Sequence, residues 1–432
     1  MRSAIRACHG PSGACPIARV EGRTMTGPLT GVKILDLTTV LMGPYATQIL
    51  GDMGADVTKI ESLEGDSVRG IGPSRNPGMG SIFLQVNRGK RSIVLDLKQP
   101  RGREVLLKLV ATADVLVFNL RPQVMERLML GYADVAAANP KIIYAGLFGY
   151  GQDGPYAARP AYDDLMQGGT GIPSLVERAG NAAPRYAPLA IADRVVGIWA
   201  VGAITAALWH RERSGEGQRI DIPMFETMAQ LVLGDHMGGG LFEPAQGAMG
   251  YGRLLSHDRR PYPTKDGYVC ALVYSDKQWR RFFEAIGKPE IFTTDPRFAT
   301  ITSRSEHIDQ IYAMVTAYMT LRTTAEWVAL LSAVDIPVEP LRTIEDLVDD
   351  PHLNASGFFQ TQPHPTEGLL RMPGVPTSFT KTPAAVGRPA PRLGEHSREI
   401  LREAGYAAEA INALLAAKIT AEPQAVREES TS

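Results

Sequence analysis

Residues 31–61 read GVKILDLTTVLMGPYATQILGDMGADVTKIE, and this stretch decides the fold. Val32–Thr38 (VKILDLT) has the apolar texture of a buried strand. After the Gly43-Pro44 punctuation, Tyr45–Gly54 carries Ala46, Ile49, Leu50 and Met53 at helical spacing, and Asp56–Glu61 returns to strand texture. The same alternation continues outward. Arg91–Leu97, Asp114–Leu120 and Lys141–Phe148 read as strands, with Arg101–Ala113 and Val124–Leu130 as helices between them. Strands that alternate with helices predict an α/β fold, a mostly parallel sheet covered by helices on its faces. Ligands of such sheets gather at the carboxyl ends of the strands. Chemistry is therefore expected at Thr39–Gly43, Asn119–Pro122 and Gly149–Pro160.

Composition narrows the class. The chain has 432 residues with 45 Lys and Arg against 46 Asp and Glu, a formal charge of −1, so no basic excess exists to hold a nucleic acid backbone. Hydrophobic residues at 44% and charged residues at 21% exclude a disordered or fibrous chain. Three cysteines, Cys8, Cys15 and Cys270, cannot build a disulfide framework, and a reducing cytoplasm is the expected compartment. The first 24 residues hold Arg2, Arg6, Arg19 and Arg23 without an apolar run, which fails the secretory pattern. They read as a weak transit peptide or as a start placed ahead of Met25. The one membrane candidate, Val195–Trp209, has fifteen uncharged residues, short of the roughly 20 that span a bilayer, so a buried core helix is expected there and no membrane partner.

Texture along the chain suggests an organisation. Residues 1–27 form an N-terminal extension expected to lack order, and 28–225 a large first unit. That unit closes with a long helix, Val195–Arg213, a Ser214–Gly217 turn and the strand Arg219–Ile222. Residues 235–330 read as a smaller α+β domain, with a glycine-rich Gly238–Gly252, a hairpin in Tyr262–Val273 turning at Lys265-Asp266-Gly267, and helices around Trp279 and Trp327. Residues 345–420 return to the large unit: Gly357–Pro391 as an extended crossing, then helices at Ser397–Gly405 and Ala407–Ala417. Residues 421–432 form a tail.

Several motifs are informative. Gly149-Tyr150-Gly151-Gln152-Asp153-Gly154 has the G-x-G-x-x-G spacing, but Pro155 follows where a dinucleotide site needs a helix to open. A glycine-rich loop beside an active site is the better reading. Asn87–Ser92 (NRGKRS) lacks the first glycine of a phosphate-binding loop. The eight histidines show no ligand spacing, and no G-x-S-x-G elbow occurs. Two acids stand out: Asp163, after Tyr162, and Asp193, at the head of the most apolar helix. Asp193 reads either as an N-cap or as a partly desolvated carboxylate held by the helix dipole, which is a usable nucleophile. A basic set, Lys90, Arg91, Lys98, Arg121 and Arg127, would suit a phosphorylated small molecule.

Residues 31–61, Gly89–Ser92 with Leu95–Lys98, Asn119–Pro122, Gly149–Pro155, Tyr162-Asp163 and Arg211–Asp221 together resemble the class III CoA-transferases, a family that also contains α-methylacyl-CoA racemases. Further blocks at Asp266–Tyr268, Asp295–Phe298, Glu326-Trp327 and Leu393–His396 extend the resemblance over about residues 28–405. It implies a large Rossmann-like domain whose parallel sheet is formed by both chain ends, plus a smaller domain. It also implies a homodimer of interlocked rings. Asp193 matches the family's nucleophile, whose carboxylate forms an acyl anhydride and then an aspartyl-CoA thioester. Asp163 and Tyr162 support it. Val40, Leu41, Leu95, Lys98, Asn119, Arg121, Arg127 and Tyr162 match CoA-contacting positions. No metal or cofactor is implied, and the partners are an acyl-CoA, such as succinyl-CoA, and a small carboxylic acid. Leu41 stands where the formyl-CoA transferase has glutamine, and Ser62 where it has an adenine-stacking arginine, a charge that Arg69 is placed to replace. The racemase alternative needs a histidine at Tyr162. A non-catalytic acyl-CoA-binding protein is the second alternative.

Overall fold

Lys33–Leu37 (β1) and Asp56–Glu61 (β2) run parallel in register, Ile34 opposite Val57. In the computed structural model, which describes residues 27–180 and 183–423, they lie inside a sheet of six strands, all parallel. The others are β3 (Lys90–Val94), β4 (Val115–Phe118), β5 (Ile143–Phe148) and β6 (Gln218–Pro223), in the order β3-β2-β1-β4-β5-β6. This is the doubly wound, Rossmann-like order, and its direction reverses between β1 and β4.

The helices that frame the sheet are α1 (Met42–Asp52), α2 (Pro100–Val110), α3 (Asp163–Gly169), α4 (Ile191–Ser214), α5 (Met224–His236), α6 (Ser397–Glu403) and α7 (Ala408–Ala416). Alternation along β1 divides the core in two. Leu35 and Leu37 pack with Val105 and Leu106 of α2 and with Ile400, Leu401, Ile411 and Leu414 of the last two helices. Ile34 points the other way, to Ala46 and Leu50 of α1 and Val196, Ala200 and Ile204 of α4. The strands thus all come from residues 33–223, which corrects the expectation that both chain ends build the sheet. From residue 397 onward the C-terminal return adds helices to one face, because its apolar residues there recur at helical spacing.

Helix α4 starts at Ile191, ahead of the expected Val195, and is 24 residues long, enough by length and composition to cross a membrane. Asp193 and Arg194 disguise its first turn. Its core-facing side is buried as expected, yet Ile198 and Trp199 are more than half exposed, so it is a core helix on one face only. It crosses close over α1 at Gly197, where a Cβ would lie 2.9 Å from the Met42 carbonyl oxygen.

A separate aromatic cluster, containing Trp279, Phe282, Phe283, Phe298 and Trp327, packs under a three-stranded antiparallel sheet. Its strands are β7 (Tyr262–Pro263), β8 (Tyr268–Ala271) and β9 (Val338–Pro340), the first two joined across the expected turn. The return segment is not simply extended. Phe359–His364 (β10) and Gly368–Pro373 (β11) pair as a hairpin, with Gly368 at φ 67. Pro363 inside the first strand masks the signal. Cys270 is exposed and free; Cys8, Cys15, the expected extension through residue 26 and the tail from residue 424 lie outside the described residues.

Candidate active site

The reversal of strand order leaves a crevice beyond the carboxyl ends of β1 and β4. Asn119 bridges it: its Oδ1 accepts the Thr39 N–H at 3.1 Å and its Nδ2 donates to the Thr39 carbonyl at 2.9 Å. A cavity of about 260 Å³ opens there, walled by the loops after β1, β4 and β5 and closed by Asp163, Asp193 and Met224.

Asp193 is the third residue of α4, within its first turn rather than at its N-cap, which is Ala190. The N-cap reading is therefore overturned. The capping role falls to Asp163, the first residue of α3: its Oδ1 accepts the Asp193 backbone N–H at 3.0 Å. Its Oδ2 accepts from Gln167 Nε2 at 2.6 Å. Gln167 is fully buried and ties down the approach to α4, donating to Leu189 O at 3.2 Å and accepting from Ala187 N at 2.9 Å. The Asp193 carboxyl is left facing the cavity. Burial and the neighbouring Asp163 charge push its pKa up to about 6, against a smaller pull from Arg194. A partly desolvated carboxylate in a helix's first turn, ionised near neutrality, has the basicity and placement of a nucleophile.

The glycine loop forms the adjoining wall. No helix opens on Gly154; the next begins at Asp163, so the dinucleotide fingerprint fails structurally. Gly149 is required for packing, since a Cβ there would sit 2.1 Å from that of Ala161. The Gly151 N–H donates to Glu226 Oε1 of α5 at 2.9 Å, and Tyr150 and Tyr156 cluster with Phe225. Arg159 stacks over Tyr156 at 3.7 Å and lines the cavity. Neither Arg159 nor Arg121, also in the wall, makes an ion pair among the described residues.

Val40, Leu41, Asn119, Arg121, Tyr162, Asp163 and Asp193 all line the cavity. Leu95, Lys98 and Arg127 do not. Leu95 is buried in the core beside α2, while Lys98, just ahead of that helix, and Arg127, at the end of the short helix Pro122–Arg127, are exposed. Two members of the expected basic set are structural. Lys90 is fully buried against Asp36 at 2.9 Å, and Arg91 is shared among Asp56, Glu399 and Glu403. Arg69 is likewise committed, to Glu61 at 2.7 Å and to the face of Phe83, so it does not replace the adenine-stacking arginine. The stretch Gly238–Gly252 does not reach the cavity of its own chain. Arg159 and Glu226 were not singled out from sequence; only the position of the loop after β5 pointed toward them. Among the described residues, no group of three or more His, Cys, Asp and Glu is placed to hold a metal.

Fold and site together define an α/β protein with a partly buried carboxylate lining a cavity at its topological switch point. Comparison with known proteins sharpens this. The pattern of CoA-transferase family III matches residues 29–397, and the chain belongs to that family. A succinate–glutarate CoA-transferase of Agrobacterium fabrum is 35% identical, spanning 87% of this chain and 95% of its own. An acetyl-CoA:oxalate CoA-transferase of Acetobacter aceti is 33% identical over 87% of this chain and 96% of its own. Among solved structures, a CAIB/BAIF family protein from Brucella suis superimposes with a TM-score of 0.73 at 31% identity, over 88% of this chain and 100% of its own.

Proposed function

We propose that this family III CoA-transferase moves CoA from an acyl-CoA to a small dicarboxylic acid, with Asp193 as the nucleophile and without metal or cofactor. The observation that carries the reading is the Asp193 carboxylate, raised in basicity and aimed into the switch-point cavity. Ionised Asp193 attacks the thioester carbonyl; the C–S bond breaks, leaving an aspartyl–acyl anhydride and CoA thiolate. The thiolate attacks the aspartyl carbonyl and expels the donor acid, giving an aspartyl-CoA thioester. The acceptor carboxylate then displaces the thiolate as a new anhydride, and attack of the thiolate on the acceptor's carbonyl yields the product thioester and frees Asp193.

The dicarboxylate assignment rests on Arg121 and Arg159, two cations in the cavity wall that make no ion pair among the described residues. Succinyl-CoA as donor accords with the succinate in the name of the Agrobacterium relative. Racemisation would need a base on each side of the α-carbon, and Tyr162 replaces the histidine one side requires. A purely binding role leaves the basicity of Asp193 without a use. A cytoplasmic homodimer of interlocked chains completes the reading, supported by the exposed apolar face of α4, with Ile198, Trp199 and Trp209.

Intact-protein mass spectrometry after incubation with succinyl-CoA, with hydroxylamine or borohydride trapping, tests the mechanism. An adduct mapping to Asp193 is expected. No adduct, accompanied by α-proton exchange of a 2-methylacyl-CoA in deuterated buffer, would transfer the assignment to the racemase.

A further inference from the structure

Beneath the loop after β1 lie four ionisable side chains with no solvent exposure: Asp36 pairs with Lys90 at 2.9 Å and Lys59 with Asp66 at 2.9 Å. Buried pairs of this kind seldom stabilise a fold more than apolar packing of equal volume, because desolvation costs several kcal/mol per ion. What they hold is more telling. Asp36 Oδ1 accepts the Thr38 N–H at 2.9 Å, Lys59 Nζ donates to the Thr38 carbonyl at 2.9 Å, and Asp66 Oδ1 accepts the Val40 N–H at 3.1 Å. The charges therefore seize the backbone where it turns from β1 into the cavity wall. Val40 is held at φ 70, a left-handed conformation that β-branched residues rarely adopt and that is strained. Its side chain is 39% exposed, so side-chain packing does little to enforce that backbone.

We propose that Asp66, anchored by Lys59, is a positioning residue that keeps Val40 left-handed and so presents the Thr39–Leu41 loop to the CoA thioester. The inference rests on the acyl-CoA reading of the cavity. It gives the buried charge a use next to a residue that is exposed and takes no part in the core.

Isothermal titration of the full chain with CoA, beside steady-state kinetics with succinyl-CoA, tests it in Asp66→Asn, Val40→Pro and the double variant Asp66→Asn/Val40→Gly. Asp66→Asn keeps an oxygen for the Val40 N–H but removes the charge that Lys59 Nζ holds, so the anchor loosens and CoA affinity about tenfold weaker is expected, with KM raised more than kcat is lowered. Glycine adopts the left-handed conformation freely, so the double variant should recover part of the affinity, which a merely structural role for Asp66 would not give. Val40→Pro removes the same N–H and forces φ negative at an exposed position, so it decides the matter if Asp66→Asn does not fold. CoA binding as tight as wild type in folded Asp66→Asn or in Val40→Pro overturns the inference. Failure of the wild-type protein to bind CoA overturns the acyl-CoA reading itself, and the inference with it.

Discussion

Asp163 accepts the backbone N–H of Asp193 at 3.0 Å, so the acid that fixes the head of α4 also lies close enough to burden its neighbour's charge. Burial raises the Asp193 pKa most and the Asp163 charge adds to it, so one residue both positions the other and contributes to its basicity. Asp163→Asn keeps an acceptor for the N–H but removes the charge, and it should move the acid limb of the kcat/KM profile from about pH 6 toward lower pH. A limb that stays put would detach Asp163 from the tuning of Asp193.

The same pKa carries a stability consequence of opposite sign to its use in catalysis. The Asp193 carboxyl titrates at about 6 in the folded chain against an ordinary 3.8, so folding favours its protonated form. Its contribution is fully present below about pH 4 and is lost as pH rises through 6, leaving a penalty of roughly 2–3 kcal/mol at pH 8. Asp193→Asn should therefore abolish transfer and yet raise the melting temperature at pH 8 by a few degrees, with little change at pH 4. Scanning fluorimetry at the two pH values checks this; equal shifts at both would mean the gain is not electrostatic.

Arg159 is held by Tyr156 rather than by an acid, which leaves its N–H groups for a ligand. Arg159→Gln should raise KM for a dicarboxylic acceptor about tenfold or more, while a monocarboxylic acid of equal length is affected far less. Parallel losses for both acceptors would assign Arg159 to the CoA ester or to the loop.

Buried Lys90 and Asp36 should behave as a unit. Burial opposes ionisation of Asp36, yet Lys90 and Lys59 outweigh it and hold its carboxyl well below the usual range. Lys90→Met alone leaves that charge unpaired, a loss of about 3–5 kcal/mol in denaturant unfolding, whereas Asp36→Asn/Lys90→Met should recover most of it. Additive losses would mean that the pair is not coupled.

The sheet was legible because β4 (VLVF) and β5 (IYAGLF) are continuous apolar runs and helical spacing separates the strands, and the switch point followed from their alternation. Asp193 stood out in the sequence because it heads an apolar helix, and its role as nucleophile came from the family resemblance. What periodicity could not show was the true first turn of α4, since Asp193 and Arg194 break its apolar texture, and Arg194 packs instead over Tyr45 at 4.3 Å. Nor could it separate ligand-facing from structural cations. Lys90 and Arg91 sit next to one another on β3 and read alike, yet their partners, Asp36 in one case and Asp56, Glu399 and Glu403 in the other, come from distant parts of the chain. The β10–β11 hairpin was hidden for a local reason, a proline within a short strand.

The proposed dimer makes a kinetic prediction that separates threading from ordinary association. Exposed Ile198, Trp199 and Trp209 on α4 give any dimer an apolar surface to bury, but surface alone allows subunits to part on dilution. Interlocked chains cannot separate without opening one of the rings, so exchange must wait on unfolding, which is slow for a stable domain. Two differently tagged preparations mixed at nanomolar concentration and held under native conditions should form no hybrid dimer over days, and a brief unfolding and refolding of the mixture should produce it. Hybrids appearing within minutes under native conditions would mean the chains meet face to face and are not threaded.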